Sequence, residues 1–256
     1  MKTSKTIKII IGIVLAGLGL AAIIFTRSAG IKEEASTLEQ VLFALSLILF
    51  LIGLIVVGSA FMKPARPTDI RMLSLAAMLA ALCYIGFAFF KIDIPIPGTA
   101  EKTAFHLGNV FCVLAALLIG GLWGGMAGAV GMTIGDFLTG YVTSAPKTFL
   151  LKLGIGLITG FVAYKLLKLD HETDKKKILW KTVVSTSAGM LFNVVADPLV
   201  GYLYKRFLYG LQQDLAKALA KISAVTTLVN AVIAVIAATI FYLALRPAIR
   251  RLLNTQ

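Results

Sequence analysis

The sequence predicts an all-α integral membrane protein, and three observations predict it. Of its 256 residues, 59% are hydrophobic and only 14% are charged, where soluble domains run near about 45–50% and about 25%. The apolar residues gather into runs that match the roughly 20 helical residues needed to cross a bilayer core. The lysines and arginines fall mainly between those runs, where the positive-inside rule puts them. A formal net charge of +13 would otherwise suggest a nucleic-acid partner. Its placement points to the lipid bilayer instead, and nucleic-acid binding is not expected.

Eight spans are expected, at 8–26, 39–62, 70–90, 107–120, 122–140, 146–167, 180–204 and 223–245. The first follows Lys2, Lys5 and Lys8. Its apolar core exceeds the about 7–15 residues of a signal peptide and no A-x-A-like site follows, so an uncleaved helix is expected. The fourth, 107–120, is short and reads as tilted or partly re-entrant. With the N-terminus inside, segments 1–8, 63–71, 165–181 and 246–256 hold 15 of the 25 basic residues. Both termini are therefore expected to be cytoplasmic, in a bacterial-type plasma membrane. "FMKPARPTDIR" (61–71) carries two prolines between spans and reads as a linker. It separates a two-helix extension, 1–66, with few internal polar residues, from a six-helix unit, 67–256, that holds most of them.

Enzyme signatures are missing. No G-x-x-x-x-G-K-[ST] phosphate loop, no H-E-x-x-H and no zinc-spaced Cys/His cluster occurs in the sequence. Cys83 and Cys112 each lie in an apolar run and read as small core residues. The chain is expected to be no enzyme, with no metal, no catalytic residue and no cofactor of its own.

Ionisable and amide groups at membrane depth carry more information, because hydrocarbon penalises them and a reason is needed to keep them. His106 and Asn109 open the fourth span, and Asp136 and Tyr141 close the fifth. Lys147 and Lys152 open the sixth. Asn193 and Asp197, four residues apart, share a face of the seventh. With the termini inside, these lie towards the outer side and together outline a polar pocket. Each has a plainer reading. Asp136 pairs with Lys147 or Lys152, Asn193 clamps two helices, and Asp197 forms a turn before Pro198. His106 and Tyr141 sit in the interface, and Asn230 serves helix packing. "KIDIPIPGTAEKTAF" (91–105) is not a helix; its prolines impose an extended, stiff segment, a lid over the pocket or an ordinary loop. Ala76/Ala80, Ala77/Ala81 and the glycine rows of "GGLWGGMAGAVGMTIGDF" (120–137) provide small faces on which backbones approach closely.

"IPIPGTAEKTAFHLGN", the glycine-rich run ending in D-x-x-x-G-Y, and "APKTFLLKLGIG" together resemble the substrate-binding S components of energy-coupling factor (ECF) vitamin transporters. The resemblance is strongest to the riboflavin-transporter-like group and covers about residues 70–245. It implies a six-helix S-component bundle, here preceded by two extra transmembrane helices. It also implies a small water-soluble vitamin or precursor as ligand, a membrane-embedded T component, and two ATPase subunits that consume ATP. The implied ligand contacts are His106, Asn109, Asp136, Tyr141, Lys152, Asn193 and Asp197. The implied scaffold-docking face is Ala76, Ala77, Ala80 and Ala81. A flat heterocycle with polar substituents suits the pocket's mixed charge; riboflavin, a pyridoxine-like compound and a thiamine pyrimidine precursor all remain open. The rival readings are a self-sufficient secondary transporter of a small polar metabolite and a non-transport membrane scaffold.

Overall fold

A computed structural model describes residues 2–28, 46, 49, 70–96, 102–208 and 210–254. Most of the second expected span, residues 61–69 of the expected linker and the tip of the 91–105 segment lie outside the described residues. The chain divides into two compact units, residues 1–69 with 207–210, and residues 70–206 with 211–256. In the first, helix α1 (Lys2–Ser28) carries the apolar stretch Ile9–Gly19.

The second unit holds six helices: α2 (Ile70–Ala88), α3 (Gly108–Ile119), α4 (Gly121–Leu138), α5 (Ala145–Gly160), α6 (Lys175–Leu203) and α7 (Gln213–Asn254). Between α2 and α3 stands one antiparallel hairpin, β1 (Lys91–Pro95) paired with β2 (Lys102–His106), in the register Lys91↔His106 to Pro95↔Lys102. The prolines that exclude helix from 91–105 thus leave a strand pair. The protein is an all-α membrane protein carrying this single small sheet among its described residues.

Four described helical stretches are long and apolar enough to cross a bilayer: Ile70–Ala88, Ala145–Leu166, Lys175–Arg206 and Gln213–Ile249. The second of these continues α5 through the π-helical turn Phe161–Leu166. Helix α3 differs in kind. Its 12 residues rise only about 18 Å, well short of the roughly 30 Å hydrocarbon core. Every residue of α3 except Phe111 is buried, enclosed by α2, α4, α5 and α7. It is a central rod wrapped by its neighbours, and meets almost no lipid. The outer helices show the reverse pattern and expose Leu73 and Met78, Leu191 and Val195, and Val232 and Ile236, which hydrocarbon tolerates as well as a core does.

The glycines of α4 make this enclosure possible. A methyl group on Gly124 would overlap the backbone of Ala115 and Ala116 in α3, and one on Gly128 would overlap Cys112. Gly131 and Gly135 abut Ala80 and Phe87 of α2. Gly121 and Gly125 meet Gly156 and Gly160 of α5 backbone to backbone, with a Gly121 methyl only 2.9 Å from the Gly156 carbonyl oxygen. Three faces of one helix are thus stripped of side chains for three partners. The corner into α4 is Gly120 at φ 90°, a left-handed conformation that favours glycine.

Several helix boundaries move from expectation, among them two helix starts in the second unit. Helix α6 starts at Lys175, not 180, because Asp174 caps it: its Oδ1 accepts from Lys176 N at 2.8 Å and Lys177 N at 3.4 Å. Residues 175–181 of the expected inside segment 165–181 are therefore helix. Helix α7 starts at Gln213, ten residues before the expected 223.

Bulk on the stripped faces has nowhere to go. Gly124→Val and Gly156→Val are each expected to cost about 2 kcal/mol or more, read as a lower midpoint of thermal unfolding in detergent. Gly17→Ala on α1, with nothing within 4 Å of the new methyl, is expected to leave the midpoint unchanged.

Candidate functional site

The alternating direction of the six helices gathers one set of ends: the C-termini of α2, α4 and α6 and the N-termini of α3, α5 and α7. Between them, under the hairpin, lies a cavity of about 130 Å³. All seven sequence-derived ligand candidates line it: His106 from β2, Asn109 from α3, Asp136 from α4, Tyr141 from the following turn, Lys152 from α5, and Asn193 and Asp197 from α6. Asn109, Asp136, Lys152 and Asn193 are buried.

These groups fall into two kinds. Asp197 is fully engaged: its Oδ1 accepts from Lys147 Nζ at 2.8 Å, and its Oδ2 from Ser223 Oγ at 2.6 Å and Thr227 Oγ1 at 3.0 Å. It lies inside α6, four residues after Asn193 and one before Pro198, and ties α5, α6 and α7 together rather than forming a turn. Asp136 is bonded by the Thr148 hydroxyl, yet its Oδ2 has no hydrogen-bond partner among the described residues. The same holds for Asn109 Oδ1, Asn193 Oδ1 and His106 Nδ1. Buried polar atoms are nearly always paired within folded proteins, and four unpaired ones stand around this one cavity.

The hairpin roof is fastened at two points. Asn230 of α7 accepts from His106 N at 3.0 Å through Oδ1 and donates to Ala104 O at 3.1 Å through Nδ2. One amide thereby does for the free edge of β2 what a third strand would do. Tyr141 donates to Asp93 Oδ1 at 2.9 Å, and Lys91 and Lys102 lie over its ring, 5.0 and 4.6 Å from the centroid. Both lysines also bridge Asp93, at 3.3 and 3.2 Å. Partial burial raises the Asp93 pKa, but the bonds from Tyr141, Lys102 and Lys91 outweigh it and hold the carboxyl below its ordinary value. Phe87 stands edge-on to His106 at 4.9 Å and to Tyr141 at 6.0 Å, giving the cavity an aromatic wall.

A second cavity, about 420 Å³, lies at the opposite end of α3 beside Leu117, Tyr164, Asp170 and Arg246. There Arg246 Nη2 donates to Leu169 O and Glu172 O at 3.0 and 2.7 Å, and Lys181 bridges Glu172 at 2.7 Å. Those contacts brace the turn before α6. The smaller cavity holds the convergent unpaired groups.

A sequence profile described as "ECF-type riboflavin transporter, S component" matches residues 68–247, most of the chain and the whole of the site. The chain belongs to that family. Among curated proteins, an uncharacterized MFS-type transporter, YuxJ of Bacillus subtilis, is 30% identical over 107 residues, covering 37% of this chain and 27% of that protein. The chain thus spans about a quarter of that relative. No solved structure matches significantly.

In this S component, the fold redistributes some of the roles read from sequence. Tyr141 meets the hairpin, and Asn230 bonds a strand rather than merely packing a helix. The bridge to Lys147 goes to Asp197. Of the four alanines on α2, Ala77 and Ala81 are exposed, Ala76 is buried, and Ala80 is half-buried against Gly131. Ser223 and Thr227 were not picked out from sequence as site residues. Their spacing to Asn230, four and then three residues, puts all three on one helical face. All three fall within the expected 223–245 span, so the shared face was available in the sequence.

Two measurements follow. Asn230→Leu strips both β2 bonds, and about 1–3 kcal/mol of hairpin stability is expected to be lost, seen as faster amide hydrogen exchange across 102–106. His106, on β2 outside the spans, is held down to a pKa of about 3 from 6.5 by burial and then by the Lys152 charge. The unfolded chain takes up this proton below pH 6.5 and the folded chain only near pH 3. Its contribution is therefore complete above pH 6.5 and is lost as pH falls through that window. The unfolding midpoint is expected to decline below pH 6.5, by on the order of 1 kcal/mol per unit, and His106→Asn to flatten the slope.

Proposed function

We propose that the chain is the substrate-specificity component of an ECF-type importer. It captures a small water-soluble vitamin or vitamin precursor from outside and hands it on with a T component and two ATPase subunits. The observation that carries this reading is the convergence of buried, unpaired polar groups from β2, α3, α4 and α6 in one cavity, in a chain of the S-component family. The cavity end faces outward in this reading, which places both termini in the cytoplasm. Nucleotide binding belongs to the partner subunits, and the chain needs no cofactor. His106, Asn109, Asp136, Lys152 and Asn193 contact the ligand, Tyr141 holds the roof, and Asp197 holds the walls.

The exposed alanines Ala77 and Ala81 of α2 form the centre of the T-component docking face. Ala76 and Ala80 set the spacing between α2 and α4 behind them. Residues 1–66 are an appended module, and a chain lacking them is expected to keep its ligand affinity.

The test is reconstitution. Liposomes holding the chain with its T component and ATPases are expected to accumulate ligand only with ATP inside. Gradient-driven uptake by the chain alone would instead establish a self-sufficient transporter. Ala81→Trp is expected to cut ATP-dependent uptake at least tenfold and leave ligand affinity within about twofold. Loss of affinity in that variant would count against the docking assignment.

A further inference from the structure

We propose that the second cavity, at the C-terminal end of α3, seats one membrane phospholipid, its phosphate on Arg246 and an acyl chain against the end of the rod. The site is separate from the cavity beneath the hairpin and does not depend on the solute held there.

The cavity follows from the length of α3. A helix rising about 18 Å in a hydrocarbon core of roughly 30 Å leaves a space at its end, because the helices around it run on. That space measures about 420 Å³, within the about 300–1,000 Å³ of sites for organic ligands. Leu117, Leu118 and Ile119 of α3, Met72 of α2 and Ile249 of α7 give it apolar walls. The Leu117 carbonyl at the rod's end is already answered by the Tyr164 hydroxyl. Met72 and Ile249 are half-buried, and Ile70, Leu73 and Leu245 beside them are exposed. The mouth of the cavity therefore lies on lipid-facing helices, where an acyl chain enters from the bilayer and supplies the dispersion contacts that the walls otherwise forgo.

Charge sets the level of the cavity in the membrane. Residues 222–245 of α7 include no Asp, Glu, Lys or Arg; they rise about 36 Å, enough for the hydrocarbon core, and Arg246 ends the stretch. Residues 72–90 of α2 are equally free of charge and begin after Arg71, while Lys165 and Lys168 follow Tyr164. Met72, Tyr164 and Arg246 line the same cavity, so these basic ends stand at one membrane boundary, the level of phospholipid headgroups.

A buried donor is the independent second observation. Arg246 Nη2 donates to Leu169 O and Glu172 O, but Arg246 Nε is buried with no hydrogen-bond partner among the described residues. A guanidinium has donors only, so an acceptor must answer it, and an anionic oxygen answers its charge as well. Asp170 also lines the cavity but has partners of its own, with His171 Nε2 3.3 Å from its Oδ2. A phosphate joined to an acyl chain matches both the buried donor and the apolar walls. A soluble phosphate matches the donor alone.

Native mass spectrometry of the purified full-length chain tests this, with dioleoylphosphatidylglycerol, diolein and glycerol 3-phosphate titrated separately in detergent. One dioleoylphosphatidylglycerol is expected to be retained per chain, at least about tenfold more tightly than diolein, and glycerol 3-phosphate not at all. Arg246→Gln and the cavity-filling Ile249→Trp are each expected to weaken that lipid about tenfold or more. Leu191→Trp, on the exposed face of α6, is expected to leave it unchanged. Thermal unfolding confirms that each variant is folded. Ile249→Trp leaves the Arg246 braces in place and decides alone if Arg246→Gln does not fold. Diolein retained as tightly as the phospholipid would overturn the phosphate assignment. Glycerol 3-phosphate retained as tightly would make the ligand a soluble phosphate and overturn the lipid. Phospholipid undiminished in folded Ile249→Trp, or none on the wild-type chain, would overturn the site.

Discussion

Everything at the candidate site depends on one packing constraint: α3 is too short to cross the membrane and must be enclosed by its neighbours. A 12-residue rod can be wrapped only if the surrounding helices come within backbone distance. Large side chains forbid that approach, and glycine permits it. The stripped faces of α4 against α2, α3 and α5 therefore come first in the causal order. They bring Asn109, at the N-terminal end of the rod, level with Asp136 at the end of α4 and Lys152 in the second turn of α5. The propensity cost of so many glycines, about 1 kcal/mol each relative to alanine, is offset by the packing they allow.

The polar residues then divide their labour. Asp197 is saturated by Lys147, Ser223 and Thr227, so its charge is spent on holding three helices in register. Asn230 closes the free edge of β2 and so fixes the roof. Because these groups keep the frame rigid, Asn109, Asp136 and Asn193 can hold acceptors without partners in a buried setting. Each unpaired group costs folding free energy, and a ligand that supplies the missing donor recovers it. In the proposed reading, stability given up at these groups becomes affinity, through residues that do not overlap with those that hold the frame.

Much of this was legible in the sequence, and what was missed has physical causes. The described helices of the second unit follow from apolar run length, and the seven candidate residues follow from the cost of polar groups at membrane depth. That rule needs no knowledge of partners, and all seven line one cavity. Partner choice is a different matter, because it depends on helix rotation and end positions that composition does not encode. Hence Lys147 could not be assigned to Asp197 over Asp136, and Asn230 could not be seen to reach a strand more than a hundred residues away. The start of α7 was hidden because 213–222 is polar; helix there is supported by the chain around it, not by hydrophobicity. The alanines of α2 show the same limit, since pairs spaced by four mark a face without telling which face turns inward.

In the proposed reading, the cavity beneath the hairpin holds the transported solute of this S component. Native mass spectrometry of the full-length protein, released gently from detergent, tests it most directly. One added small-molecule mass is expected on the wild-type chain, and none on folded Asn193→Leu. An added mass retained undiminished by that variant, or none on the wild-type protein supplied with growth-medium vitamins, would contradict it.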